Sequence, residues 1–247
     1  MPASLIVIPT YNEQANIAEM IHAVLALPEL LHVLIIDDNS PDGTTMEVEK
    51  LIGNYPGRLF LQTRPGKLGL GTAYITGFKW ALEKNYEYIV EMDADFSHKP
   101  SDLPRLLQNC QNGSDVVIGS RYVKNGNVED WPFNRIFISK GASLYVRMIT
   151  GMPVKDTTAG FVCYKRKVLE TIDLDKIKFI GYAFQIELKF AAWKCGFSIL
   201  EIPITFKDRE KGISKMSSGI FKEAVYGVIK MKWKSFGNSY KKQIAHE

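Results

Sequence analysis

The sequence predicts an α/β fold with a mostly parallel central sheet, and three observations predict it. Short runs that are apolar at every position alternate with stretches whose apolar residues recur at helical spacing, the pattern of strands covered by helices on both faces. The early runs each end in a polar, acidic cluster, and the carboxyl ends of parallel strands are where such sheets bind ligands. At 247 residues the chain can enclose this sheet in one core, and a charged fraction of 23 % sets it apart from disordered and fibrous classes.

Leu5-Ile6-Val7-Ile8 reads as the first strand. Pro9-Thr10-Tyr11-Asn12-Glu13 ends it, and Asn12 is placed to cap a helix whose apolar positions are Ile17, Met20, Ile21, Val24 and Leu25. Val33-Leu34-Ile35-Ile36 is a second strand, running into Asp37-Asp38-Asn39-Ser40-Pro41-Asp42-Gly43-Thr44. Asp42-Gly43 is turn chemistry, and Asp37 or Asp38 is expected to cap the next helix. An acidic residue at this point also commonly holds a ribose or base. A short third strand, Arg58 to Gln62, leads to Lys67-Leu68-Gly69-Leu70-Gly71-Thr72-Ala73. Gly69-x-Gly71 lacks the third glycine of a dinucleotide loop, so the glycines read better as letting a helix, Thr72 to Glu83, start close against the sheet.

The fourth strand is the centre of the prediction. Tyr88 to Met92 is apolar apart from Glu91 and ends in Asp93-Ala94-Asp95-Phe96-Ser97-His98. If the strand persists, Asp93 and Asp95 share a face. Two carboxylates side by side repel unless a cation or donors lie between them. Hard divalent ions take oxygen ligands and bridge to phosphates. A solvated Asp-x-Asp turn fits the spacing equally well. Lys99-Pro100-Ser101-Asp102 opens a helix running to Gln111, and Asp115 to Ser120 is a fifth strand ending in Arg121.

Trp131, Phe133, Ile136, Phe137, Leu144, Tyr145 and Met148 are interleaved with Arg135, Lys140 and Arg147, which reads as an amphipathic helix with a basic side. An ordinary core-packing helix with solvated charges is the alternative. Further on come a helix ending near Cys195, a late strand at Ser198 to Ile202, and a charged loop from Lys207 to Lys215 suited to closing as a lid.

Lys211 to Glu247 holds eight lysines and two glutamates, a local charge of +6 against +4 for the whole chain. Its Ile220, Phe221, Ala224, Val225, Val228 and Ile229 recur at helical spacing, with Lys230, Lys232, Lys234, Lys241 and Lys242 following. This divides the chain into a body over 1–210 and a basic arm with an amphipathic helix over 211–247. Such an arm suits an anionic membrane surface. Base-stacking surfaces are absent, so nucleic acid is not expected. Cys110, Cys163 and Cys195 are odd in number and widely spaced, and the four histidines are scattered, which disfavours disulfides and zinc. No basic segment precedes an apolar core at the N-terminus, so no signal peptide is expected. No uncharged apolar run reaches the roughly 18 residues of a membrane span.

The motifs together resemble family 2 glycosyltransferases, and within them the dolichol-phosphate (polyprenol-phosphate) mannose synthase branch of the type without transmembrane helices. The resemblance rests on Pro9 to Glu13, Asp37 to Thr44, Leu68 to Tyr74 and Asp93 to His98. Gly119-Ser120-Arg121-Tyr122, Gly181-Tyr182 with Phe184-Gln185-Ile186-Glu187, Pro203-Ile204, Asp208-Arg209 and Ser214-Lys215 extend it, in order over roughly residues 4 to 215. It implies a GT-A, Rossmann-like nucleotide-sugar fold over 1–210, a GDP-mannose donor, Mg²⁺ or Mn²⁺, and a polyprenyl phosphate acceptor. By position, Pro9, Tyr11, Glu13, Ile36 and Asp38 would hold the nucleoside. Asp93, Ala94 and Asp95 would surround diphosphate and metal, with Asp93, Asp95 and Ser97 as ligands. Arg121, Arg209 and Lys215 would neutralise phosphates, and Arg135 and Ser139 match positions near the acceptor phosphate. Asp95, Arg121, Arg135 and Ser139 are thus the expected catalytic set.

The residue types suit that chemistry. A phosphate acceptor is already ionised near neutral pH because its second pKa is about 6, so no strong general base is required. Direct attack inverts the anomeric centre, turning an α-linked donor into a β-linked product. Two alternatives remain: a sister transferase using UDP-glucose or another donor, and a silent nucleotide-sugar-binding subunit. The intact Asp93-Ala94-Asp95 argues against the second. The enzyme is expected in the cytoplasm, peripheral on the cytoplasmic face of a membrane. Direct attachment and a membrane partner subunit both stay open.

Overall fold

The structure is a computed structural model that describes residues 4–181, 183–208, 219–236 and 240–242. A seven-stranded sheet runs in the order β3-β2-β1-β4-β7-β5-β8. Its strands are β1 (Ser4–Thr10), β2 (Leu31–Asp37), β3 (Leu59–Thr63), β4 (Tyr88–Glu91), β5 (Val116–Ser120), β7 (Val162–Lys165) and β8 (Ile199–Pro203). Six are parallel, and β7 runs antiparallel between β4 and β5. A two-stranded parallel ribbon, β6 (Asn127–Glu129) with β9 (Thr205–Lys207), stands beside the sheet.

The continuous apolar runs are explained by helices on both faces. Alternate side chains of β1 enter different cores: Leu5 and Val7 on one side, Ile6 and Ile8 on the other. Leu34 and Ile36 oppose Val33 and Ile35 in the same way on β2. The second layer is packed by α1 (Gln14–Leu25), α2 (Thr44–Ile52) and α4 (Leu103–Gln111). The first is packed by α3 (Leu70–Glu83), α6 (Arg166–Thr171) and α7 (Ala183–Lys194), with one face each of α5 (Phe133–Thr150) and α8 (Gly219–Lys234). Val228 and Met231 of α8 are buried in this same core, so the described part of the arm packs on the body.

Several local expectations are corrected. Asn12 does not cap α1: it adopts a left-handed conformation with φ 56°, and the N–H of Gln14 is accepted by Asp42 Oδ2 at 3.1 Å. Neither Asp37 nor Asp38 caps α2. Asp42 does that too, accepting the Thr44 N–H at 3.0 Å, while Gly43 makes the turn at φ 95°. One aspartate thus ties both loops together, a tertiary arrangement that local capping rules do not foresee. The glycines at the start of α3 meet the loop before α7 and Phe184 of α7, not the sheet. A Cβ on Gly69 or Gly71 would lie 2.8 or 2.7 Å from the carbonyl oxygens of Ile180 and Phe179. The close approach of α3 to the sheet is made by Gly77, over Val7. β4 ends at Glu91, and Phe96 has φ 60°, so Asp93 and Asp95 sit on a turn and not on a persisting strand.

Candidate active site

β1 has β2 on one side and β4 on the other, and the chain leaves in opposite directions from this point. In open α/β sheets ligands bind in the crevice at such a point, outside the carboxyl ends of the strands. Three loops line it: residues 11–13 after β1, 38–43 after β2 and 92–99 after β4. Asp37, fully buried, fastens the first two. It accepts the Thr10 hydroxyl at 2.7 Å, the Ser40 hydroxyl at 2.6 Å and the Thr45 hydroxyl at 2.7 Å. Asp38 pairs with Arg64, whose Nε donates at 2.6 Å, and Arg64 reaches Thr72 Oγ1 at 2.8 Å. Arg64 was not foreseen, because nothing in its local sequence marks it. Lys67 lies 4.9 Å above the Tyr11 ring. Pro9 is half-buried at the mouth, and Glu13 bonds Asn16 Nδ2 at 3.1 Å. The Ile36 side chain is fully buried in the core, so its backbone is the part that can face a nucleoside.

On the third loop Asp93 is half-buried, and Ala94, Asp95, Ser97 and His98 are buried. The Tyr74 hydroxyl donates to Asp93 Oδ1 at 3.3 Å, and the Ser97 N–H donates to Asp95 Oδ1 at 3.1 Å. The Asp93 N–H is accepted by His98 Nδ1 at 3.3 Å, which leaves the ring proton on Nε2. Burial lowers the His98 pKa to about 4 against the opposing pull of Asp95, so the ring is neutral. Ser97 Oγ is buried without a hydrogen-bond partner. Two carboxylates and an unspent hydroxyl on one turn fit a hard divalent cation shared with a diphosphate. Among the described residues no group of three or more His, Cys, Asp or Glu side chains could hold a metal by itself. The donor's phosphates would have to complete such a site.

Behind this turn lies a buried ionic layer. Lys189 is fully buried, and its Nζ donates to the carbonyls of Thr157, Ala159 and Gln185 at 3.2, 2.5 and 3.1 Å. Burial lowers its pKa to about 8, partly offset by Glu91. Burial raises Glu91 to about 8, against the attraction of Lys189.

A second cluster begins at the end of β5. Arg121 is buried, and its Nε and Nη2 grip Asp156 at 2.7 and 2.6 Å. Burial opposes both charges, yet the fork outweighs it, holding the Asp156 carboxyl below its usual range and raising Arg121. Asp156 is positioned by Glu201 of β8, whose Oε1 accepts the Asp156 N–H at 2.9 Å. The sequence reading missed Asp156, which lies in a loop without periodicity. Trp131 stands between Arg121 and Arg135, whose guanidinium carbons lie 5.5 and 3.9 Å from its ring. Arg135 also donates to Asp208 at 2.8 Å, and the Tyr122 hydroxyl donates to Ser139 Oγ at 2.6 Å. The structure therefore brings Arg121, Arg135 and Ser139 together. An aromatic chain joins the two clusters: His98 lies 5.5 Å from Phe206, and Phe206 lies 5.3 Å from Trp131. Arg209, Lys215, Tyr182 and most of the expected lid lie outside the described residues.

The sequence model described as glycosyl transferase family 2 matches residues 5–173. The chain is 45 % identical over 225 residues to a polyprenol monophosphomannose synthase of Mycolicibacterium smegmatis, covering 91 % of this chain and 85 % of that one. It is 45 % identical over 227 residues to an undecaprenyl-phosphate mannosyltransferase of Micrococcus luteus, covering 92 % of each. A dolichol-phosphate mannosyltransferase of Pyrococcus furiosus is 37 % identical over 236 residues, covering 92 % of this chain and 63 % of that one. The fold is that of a Mycobacterium tuberculosis glucosyl-3-phosphoglycerate synthase solved with Mn²⁺ and uridine diphosphate. The two agree with a TM-score of 0.66 at 15 % identity, over 94 % of this chain and 79 % of that one.

Proposed function

The chain belongs to glycosyl transferase family 2, and from that premise we propose that it transfers mannose from GDP-mannose to a polyprenyl phosphate, giving polyprenyl phosphate β-mannose and GDP. The observation that carries this reading is the pairing of an acidic crevice with a guanidinium cluster at one sheet edge, bridged by His98, Phe206 and Trp131. The names of the relatives at 45 % identity support the same donor sugar and acceptor class.

In this reading the nucleoside lies over Pro9, Tyr11, Glu13 and the backbone of Ile36, with Asp38 fixed for it by Arg64. Asp93, Asp95 and Ser97 would hold Mg²⁺ or Mn²⁺, which would neutralise charge on the departing diphosphate. Arg209 and Lys215 are assigned to the donor phosphates. Arg135 and Ser139 hold the acceptor phosphate, and Arg121 faces the same space with its fork anchored on Asp156. One phosphate oxygen attacks the anomeric carbon as its bond to the diphosphate breaks. No proton need be removed, which suits a site whose one histidine is buried and neutral.

A lipid-borne acceptor requires approach to a bilayer. Among the described residues no helix is long and apolar enough to cross a membrane. Phe133, Phe137, Leu144 and Met148 nonetheless form a stripe along α5, from 53 to 82 % exposed, instead of packing into the core. Arg135 and Ser139 lie on the first turns of that helix. We assign α5 to the cytoplasmic headgroup region, with a membrane partner subunit as a further attachment.

The test is a product assay with purified protein, Mn²⁺ or Mg²⁺, GDP-mannose or UDP-glucose, and a short detergent-soluble polyprenyl phosphate. The expected product is the mannosyl lipid, β-linked by NMR. Turnover with UDP-glucose alone would identify a sister enzyme. Nucleotide-sugar binding without turnover of any donor would identify a silent subunit.

A further inference from the structure

A cavity of about 360 Å³ lies between the Leu174–Lys176 turn, α7 and α8, and it shares no residue with the donor or acceptor clusters. Four lysines line it: Lys176 from the turn, Lys178 just after it, and Lys230 and Lys234 from α8. Phe179 and Met231 give it an apolar wall. Glu187 is its single acidic lining residue, and backbone donors hold its carboxylate in place. Glu187 Oε2 accepts the N–H groups of Lys178 and Phe179 at 2.7 and 2.9 Å. Of the acids on the turn, Asp175 pairs with Lys79 at 2.6 Å, and Asp173 pairs with Lys176 at 3.2 Å, so the charge of Lys176 is already matched.

Lys230 and Lys234 are one helical turn apart, a like-charge spacing that costs helix stability unless an anion lies between them. The outer side of α8 carries Tyr226 and Trp233, and Phe236 follows in the turn after it, each 77 % exposed. Lysines next to exposed tryptophan and tyrosine are the residues that settle at a bilayer interface.

We propose that this cavity binds a phosphate-bearing anion supplied by the headgroup of an anionic membrane lipid. Lys178, Lys230 and Lys234 neutralise the phosphate, and the Phe179–Met231 wall takes the first apolar part of the lipid. The proposal goes beyond the transferase reading and rests on it only in bringing the protein to a membrane.

The experiment uses the full chain and vesicles of phosphatidylcholine with or without phosphatidylglycerol, read by flotation and titration calorimetry. The cavity variant Lys230→Ala/Lys234→Ala is compared with Lys140→Ala/Arg147→Ala on α5, which removes the same charge elsewhere. The cavity pair should lose on the order of 10-fold or more in affinity for the anionic vesicles. The α5 pair should lose distinctly less. Met231→Trp fills the cavity while keeping every charge, and should weaken binding as the lysine pair does. Thermal melts verify folding, and should the lysine pair not fold, Lys178→Ala with Met231→Trp carries the test. Equal losses in both lysine pairs, or full binding by Met231→Trp, would mean diffuse attraction and overturn the site. Competition by millimolar inorganic phosphate as strong as that by phosphatidylglycerol would make the ligand a free anion and overturn the lipid assignment. Turnover on the soluble acceptor should be unchanged in all variants. Absence of turnover in the unaltered chain would count against the transferase reading and leave the vesicle comparison intact.

Discussion

Asp95 and His98 sit three residues apart on one turn, and their substitutions should be told apart by what each changes. Asp95→Asn keeps the shape of the side chain and an acceptor for the Ser97 N–H, but removes a charged oxygen. Folding should be intact, Mn²⁺-dependent nucleotide binding weak and turnover lost. Calorimetry that finds unchanged metal-dependent binding would remove Asp95 from the metal set. His98 bears on stability through protons. Folded, it stays neutral down to about pH 4 because burial disfavours the cation; unfolded, it takes a proton near 6.5. The unfolded chain therefore binds more protons between these values, and stability should fall as the pH drops through that window, by at most about 3 kcal/mol. His98→Asn, whose Oδ1 can accept the Asp93 N–H, should flatten this slope in urea titrations at pH 7 and pH 5. A slope equal to that of the unaltered chain would assign acid sensitivity to other groups. Arg135→Ala, on the other cluster, should raise the acceptor KM with nucleotide binding near normal; the opposite pattern would exchange donor and acceptor sides.

At the scale of elements, what could be read in advance follows from how local its cause is. β1, β2 and β5 were legible because burial on both faces leaves apolar runs without interruption, and β4 because only Glu91 breaks its run. β7 was not, since Val162-Cys163-Tyr164-Lys165 is too short to show a period and its antiparallel direction is set by its neighbours. The acidic ends of β1, β2 and β4 marked the crevice. Arg64 and Asp156 did not stand out, because each gains its meaning from a partner 26 or 35 residues away. Motif order supplied Ser139 and Arg135, which composition and spacing would have left as ordinary helix residues. α5 tests the distinction between pattern and packing. Its interleaved charges and aromatics permitted either a core helix or an exposed one, and the structure buries only Ser143, Val146 and Thr150 on it. Phe133→Ser/Phe137→Ser should therefore leave the melting temperature nearly unchanged, since both rings are already in water. It should reduce the part of vesicle binding that survives high salt. A large drop in melting temperature would mean these rings are packed in solution.

Across the whole molecule, the division into a body over 1–210 and an arm over 211–247 can be decided by deletion. Charge alone suggests a detachable arm whose removal weakens only salt-sensitive binding to anionic vesicles. Packing argues otherwise. Val228 and Met231 are 1 and 4 % exposed within the core that also holds Val146 and Phe190. Lys232 donates to the Thr150 carbonyl at 3.0 Å, at the end of α5. Beyond α8, Lys241 pairs with Ile172, and the Asp173 N–H donates to the Tyr240 carbonyl at 2.8 Å. Deleting residues 217–247 would uncover apolar surface on α5 and α7 and free these backbone groups. Losing the burial of two large side chains alone costs on the order of 3–6 kcal/mol, a sizeable share of the roughly 5–15 kcal/mol that keeps a domain folded. The truncated chain should therefore melt well below the full chain and lose turnover on a soluble acceptor in step with unfolding, although no residue assigned to the donor or the acceptor lies beyond Lys215. Trp233→Ser, which alters the exposed side of the same helix, should keep the melting temperature and lower vesicle binding. A truncated chain with the melting temperature and soluble-acceptor turnover of the full chain would restore the arm to a detachable membrane tether.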